Sequence, residues 1–371
     1  MTDLNHDAAE PSDSEAVKPG AANSASVEPA TTDSAEAEFP TGLPEELRSS
    51  MPPGVPRHDP NDPVESAVIR RLVGNWHRRA TVKRTEPNLE ELFEPDRPDY
   101  PERILPFHDH PTYQALSPEK RSEILSWAWI AYNRHTVMAE QKVANPAFAL
   151  VMEGEYPALH GEALNLSLAQ AMVDEQYHTL MHLNASALTR RRRGHSMPDA
   201  ALPLSHTARE HQRLRDEAPE RWQRSLTTLA FATVSEISIN AFLDLLADDP
   251  DIQPINSSTA KLHNRDEYCH ASISAVLAET VHQQLDAKQR RYFLDMLLAG
   301  LDAFVATDYS TWHRVMDLTG VAGGHRMLAD CQAESGRSRL VRDYTGLHTL
   351  LRQMDVVDDV QFDWSKSHVS A

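Results

Sequence analysis

Cysteine is nearly absent: Cys269 and Cys331 are the only two in 371 residues. Two thiols in a chain this long do not make a disulfide scaffold, and they fit a reducing, cytoplasmic compartment. Glycine is scarce as well, at 13 residues, and no Gly-rich fingerprint for a nucleotide phosphate occurs. Electrons for any redox chemistry are therefore expected from outside, from a separate reductase or a small donor. Basic residues are outnumbered, 36 against 55 acids, for a net charge of −19. That balance argues against nucleic acid as a partner, because a phosphate backbone needs clustered positive charge. No run of 18 apolar residues appears, so no helical membrane span is expected. Residues 1–15 have neither the basic nor the apolar region of a secretory signal.

What is present changes along the chain. Residues 1–62 carry thirteen acids and three bases, much Ala, Ser and Pro, and almost no aromatics. Such a segment cannot bury enough apolar surface to offset its ordering entropy, so a disordered acidic tail is expected. Residues 63–116 read as an N-terminal helix and a proline-rich connection. In 64–83, Val68, Leu72 and Trp76 fall four apart on one face, with the arginines expected on a solvated face. Pro87, Pro95, Pro98, Pro101 and Pro106 then rule out a long helix.

Residues 117–371 read as helical almost throughout. Ser117-Pro118 supplies a cap and a first-turn proline for a helix running past Glu140 towards Pro146. Further helices are expected over about 161–190, 222–246, from a Ser257 or Ser258 cap to 282, over 287–318, and near 337–354. Between the second and third lies an insertion, 191–219, opened by a run of four arginines from Arg190 that suits a helix C-terminus. No hairpin signal or fixed-period repeat is found, and 40 % hydrophobic residues allow a real core. The expected class is all-α.

Two of these helices repeat one pattern. Glu175 and His178 are three apart, about 60° around a helix, so they point the same way. Glu267 and His270 repeat the spacing, and His263, seven before His270, falls on the same stripe. Glu140 and Glu236 sit among apolar neighbours on two other helices, where a carboxylate is costly unless paired or metal-bound. Two Glu-x-x-His motifs plus a glutamate from each of two more helices is the arrangement of carboxylate-bridged di-iron and di-manganese bundles. Four carboxylates and three imidazoles without a thiolate suit iron or manganese better than structural zinc. His182, one turn after His178, reads as a core histidine or a partner of a ligand rather than an eighth ligand.

The series Glu140, Glu175, His178, Glu236, His263, Glu267, His270, with gaps of 35, 3, 58, 27, 4 and 3, resembles the p-aminobenzoate N-oxygenase family. The Asp-Glu-x-Tyr-His at 174–178 and Asp-Glu-x-x-His at 266–270 are similar to its motifs, and His263 matches the family's additional seventh ligand. The resemblance covers roughly 117–354, with the tail and the proline-rich connection outside. It implies a ferritin-like di-iron helical bundle with additional helices, two iron ions held by those seven residues, and O₂ as co-substrate. The activity implied is stepwise oxidation of an amine, an arylamine of secondary or antibiotic metabolism, through hydroxylamine and nitroso to nitro compounds. A homodimer is implied too. Tyr132 and Arg342 match its substrate-side positions, although Arg342 also reads as an ordinary surface arginine. Two other readings remain: a di-iron hydroxylase or desaturase of a carrier-bound substrate, against which His263 weighs, and an iron-storage bundle, which would need neither the insertion nor a sixth helix.

Overall fold

Helical spacing closed by recognisable caps sets the architecture of the computed structural model, which describes residues 67–84, 88–334, 343–364 and 367. No strand occurs among the described residues, and the acidic tail expected over 1–62 lies outside them. Helix α1 spans Ala67–Arg79. Helix α2, Pro118–Ala139, begins where Ser117 accepts a hydrogen bond from the Lys120 backbone N–H at 3.3 Å. It passes into a π-helical turn, Glu140–Ala144, and then into α3, Asn145–Met152. The chain thus stays helical through Pro146 instead of stopping before it. The wider turn absorbs the missing proline N–H and places Glu140 at its start, the usual setting of π-bulges at functional sites.

Helix α4 is Glu162–Arg193, closed by Gly194 at φ 72°. The expected insertion is itself partly helical: Ser205 caps α5, His206–Glu217, by accepting from the Ala208 N–H. The arginine run ties the proline-rich connection to the end of α4, through Arg193 with Asp99 at 2.8 Å and Arg191 with Glu90 at 3.0 Å. Helix α6, Arg221–Ala247, opens with a Glu220/Gln223 capping box. Helix α7, Pro254–Gln284, starts before the serines expected to cap it, with Pro254 in its first turn. Helix α8, Ala287–Val305, begins at an Asp286/Gln289 capping box. The single helix expected over 287–318 is broken: Asp308 accepts from the Ser310 N–H at 3.2 Å and starts α9, Tyr309–Thr319. An aspartate that caps a new turn outcompetes helix continuation. Helices α10, Gly324–Ala333, and α11, Thr345–Gln353, follow.

Helices α2, α4, α6 and α7 bring the site together: α2 packs on α4, α4 on α7, and α6 along α7. Sixteen of the 27 residues of α6 are buried. Alone among the described helices it is long and apolar enough to cross a membrane, and here α3, α5, α7, α8 and α11 all pack on it. Helix α1 lies across α4 and α7.

Candidate metal centre

Two overlapping groups of side chains could each hold a metal ion: Glu140, His178, His263 and Glu267, and Glu175, His178, Glu267 and His270. Every member is buried, and His178 and Glu267 are common to both. Glu236, the remaining glutamate singled out in the sequence, sits beside the second group, its Oε2 3.8 Å from His270 Nδ1. All seven residues therefore converge, although α2, α4, α6 and α7 are far apart in sequence.

The contacts are short and of one kind. His263 Nε2 lies 2.8 Å from Glu267 Oε1 and 3.3 Å from Glu140 Oε1. His178 Nδ1 lies 3.4 Å from Glu175 Oε2 and 3.3 Å from Glu267 Oε1. His270 Nδ1 and Glu175 Oε1 are 2.7 Å apart, yet neither atom makes a hydrogen bond, and Glu140 Oε2 and Glu236 Oε2 lack one as well. Buried donors and acceptors are rarely left this way. Unpartnered carboxylate and imidazole atoms gathered in one buried spot are what metal coordination would satisfy, so the residues present fit a carboxylate-bridged metal pair.

Electrostatics agree. Burial, followed by the neighbouring Glu175 and Glu267 carboxylates, pushes Glu236 well above the usual carboxylate range. Burial opposes charge on His178 and His270 too, but the carboxylates around each ring win and hold both well above the usual imidazole range. Glu267 is held well below its usual range, because the imidazoles of His270 and His263 outweigh its burial. Protons thus gather on two imidazoles and one carboxyl, and bound divalent ions would displace them.

Each histidine is oriented from behind. His178 Nε2–H donates to Asp266 Oδ2 at 3.3 Å, and His270 Nε2–H donates to Asp174 Oδ2 at 3.4 Å. The pairing is crossed: the aspartate of each Asp-Glu-x-x-His motif holds the histidine of the other. His263 turns Nε2 inward, so its Nδ1–H donates to His182 Nε2 at 2.9 Å. His182 Nδ1–H in turn donates to Asn133 Oδ1 at 2.8 Å, and Asn133 Nδ2 to the Trp129 carbonyl at 2.7 Å. These tautomers follow from the network. Burial and the adjoining imidazoles hold His182 well below its usual range, consistent with a neutral acceptor. Asn133 and His182 carry these roles without a motif of their own. The aspartate before each glutamate was the visible signal, but its crossed partner is a property of the fold.

Beside the cluster lies a cavity of about 170 Å³. Thr136, Ala139, Ser235 and Ile239, which flank Glu140 and Glu236, make one wall, and Tyr100, Phe242, Phe304 and Trp312 make much of the rest. Tyr132 lines it too, stacked on Trp129 at 5.2 Å. The hydroxyls of Tyr132 and Ser235 are buried without a hydrogen-bond partner. On the same helix Thr227, Thr228 and Thr233 bond back to the carbonyl four residues earlier, whereas the Ser238 hydroxyl, like that of Ser235, has no partner. Ser235 was not anticipated from the sequence, where it reads as one more helical serine. Arg342 lies outside the described residues.

The sequence matches the model of the p-aminobenzoate N-oxygenase family over residues 62–355. It is 37% identical over 303 residues to a 4-aminobenzoate N-oxygenase of Streptomyces thioluteus, covering 81% of this chain and 90% of that relative. The matched region starts at 62, so the N-terminal helix and proline-rich connection lie inside it, contrary to the narrower extent drawn from the motifs. The chain belongs to the p-aminobenzoate N-oxygenase family of di-iron oxidoreductases.

Proposed function

We propose that this chain uses O₂ to oxidise the nitrogen of an arylamine, with two iron ions held by Glu140, Glu175, His178, Glu236, His263, Glu267 and His270. The convergence of these seven buried side chains beside a largely apolar cavity carries the reading. The relative's printed substrate, 4-aminobenzoate, supports an aromatic amine. The first oxidation balances as R–NH₂ + O₂ + 2e⁻ + 2H⁺ → R–NHOH + H₂O, and the electrons come from a separate reductase or a small donor.

When bound by these residues, two irons would supply a redox centre for O₂ activation. The protein's part is binding and orientation. Tyr100, Phe242, Phe304 and Trp312 enclose an aromatic ring and exclude water. Tyr132 and Ser235 offer unsatisfied hydroxyls to its polar groups, and Asp174, Asp266 and His182 keep three imidazoles turned inward. By the motif resemblance alone, Arg342 is the candidate whose guanidinium would pair with a substrate carboxylate. The enzyme works as a cytoplasmic homodimer. Two unbridged cysteine thiols support the compartment. An exposed apolar stripe on α4 supports the dimer: Leu166, Val173, Leu180 and Leu183 are each more than two-fifths exposed.

A single turnover of iron-loaded, chemically reduced protein with ¹⁸O₂ and 4-aminobenzoate, followed by mass spectrometry, tests this. Label on the nitrogen is expected. Two irons per chain with no oxygen gain across a panel of free arylamines would move the activity to another or a carrier-bound substrate.

A further inference from the structure

The crossed Asp–His pairs are themselves held by one short helix and the turn that follows it, outside the four helices that carry the glutamates and histidines. Trp76 Nε1–H is shared between both oxygens of Asp174, at 2.9 and 3.0 Å. The Thr81 backbone N–H donates to Asp266 Oδ2 at 3.0 Å. Between them lies Arg79, the last residue of α1. Its Nη1 is 3.6 Å from Asp174 Oδ2 and 3.7 Å from Asp266 Oδ1, with both aspartates fully buried and the arginine side chain 17% exposed. Arg79 Nη1 makes no hydrogen bond. It acts as a charge placed almost equally between two buried anions, not as a bidentate clamp. The sequence predicted a solvated face for this helix's arginines, and Arg79 is the departure.

We propose that Arg79 is a positioning residue for both halves of the metal centre at once. This rests on the reading above that the cluster holds two irons. Two aspartates buried around one guanidinium repel each other, and each must stay oriented to accept an Nε2–H. Arg79 offsets that repulsion for both. Through Asp174 it fixes His270, and through Asp266 it fixes His178, so that both rings present Nδ1 to the glutamates. Because the pairing is crossed, one cation on α1 governs one histidine on α4 and one on α7. Trp76 touches Asp174 alone and governs only the His270 side.

The test is an anaerobic Fe²⁺ titration with chelator competition, read with the Mössbauer spectrum, on wild type, Arg79→Met, Arg79→Lys and Trp76→Phe. In Arg79→Met, affinity for both irons is expected to fall by about 10-fold or more, the usual effect of losing a ligand's outer partner. Arg79→Lys should recover most of it, since the contact is a charge at 3.6–3.7 Å and not a fork. Trp76→Phe should weaken one iron and leave the other. A helical Arg79→Met that binds both irons as tightly as wild type overturns the proposal, as does equal weakening by Met and Lys. If Arg79→Met does not fold, Arg79→Lys and Trp76→Phe decide: loss of both irons in the lysine variant, or both irons held tightly in the phenylalanine variant, overturns it. A wild type that binds no iron pair would instead sink the underlying reading and this one with it.

Discussion

Which nitrogen each histidine turns inward is decided by what holds the other: Asp266 for His178, Asp174 for His270, His182 for His263. His211 shows an imidazole with no such carboxylate. It is 2% exposed, 3.1 Å from the Thr228 hydroxyl, and burial with Arg215 lowers it to about 4. Its unfolded value is about 6.5. A histidine depressed by folding contributes stability that is complete above about pH 6.5 and is lost as pH falls from there towards 4, up to about 3 kcal/mol in all. His211→Gln, which keeps a polar contact to Thr228, should flatten that part of the profile. Urea midpoints between pH 7 and 5 that fall equally steeply in the variant and wild type would refute this. The convergence of the seven residues proposed as ligands was legible because Glu-x-x-His spacing and apolar-flanked glutamates are local patterns. Trp76, Arg79, Asn133 and Ser235 were not, since each matters only through a neighbour more than 45 residues away or a cavity wall assembled from several helices.

Among the helices, those with strong caps were readable and those with competing signals were not. Ser117-Pro118 located α2, whereas Pro146 and Asp308 each misled in opposite directions. A π-turn carried the chain past the proline, and an aspartate cap broke a helix whose apolar pattern continued. Helix α4 also carries the outward stripe of Leu166, Val173, Leu180 and Leu183, at intervals of seven, seven and three. That spacing keeps one helical face apolar over nearly five turns, the pattern of a helix packed against a second helix. Leu180 is 48% exposed, so a charge there leaves the fold intact. Leu180→Asp is expected to convert a dimer to a monomer in sedimentation velocity at micromolar concentration. A monomeric wild type, or a variant that sediments with the wild type, contradicts the dimer face.

Taken whole, a chain of net charge −19 buries four glutamates and two aspartates fully or almost fully around the candidate metal centre. Histidines and Arg79 offset part of that charge, and metal cations held there would complete the balance. Glu267 is the point at which the two groups meet: its Oε1 is 2.8 Å from His263 Nε2 and 3.3 Å from both His178 Nδ1 and His270 Nδ1. Iron per chain after anaerobic loading, in wild type and Glu267→Ala, is therefore the most direct measurement. Two irons in the wild type and loss of the pair in Glu267→Ala are predicted; a Glu267→Ala protein that keeps both irons would contradict a single shared di-iron centre.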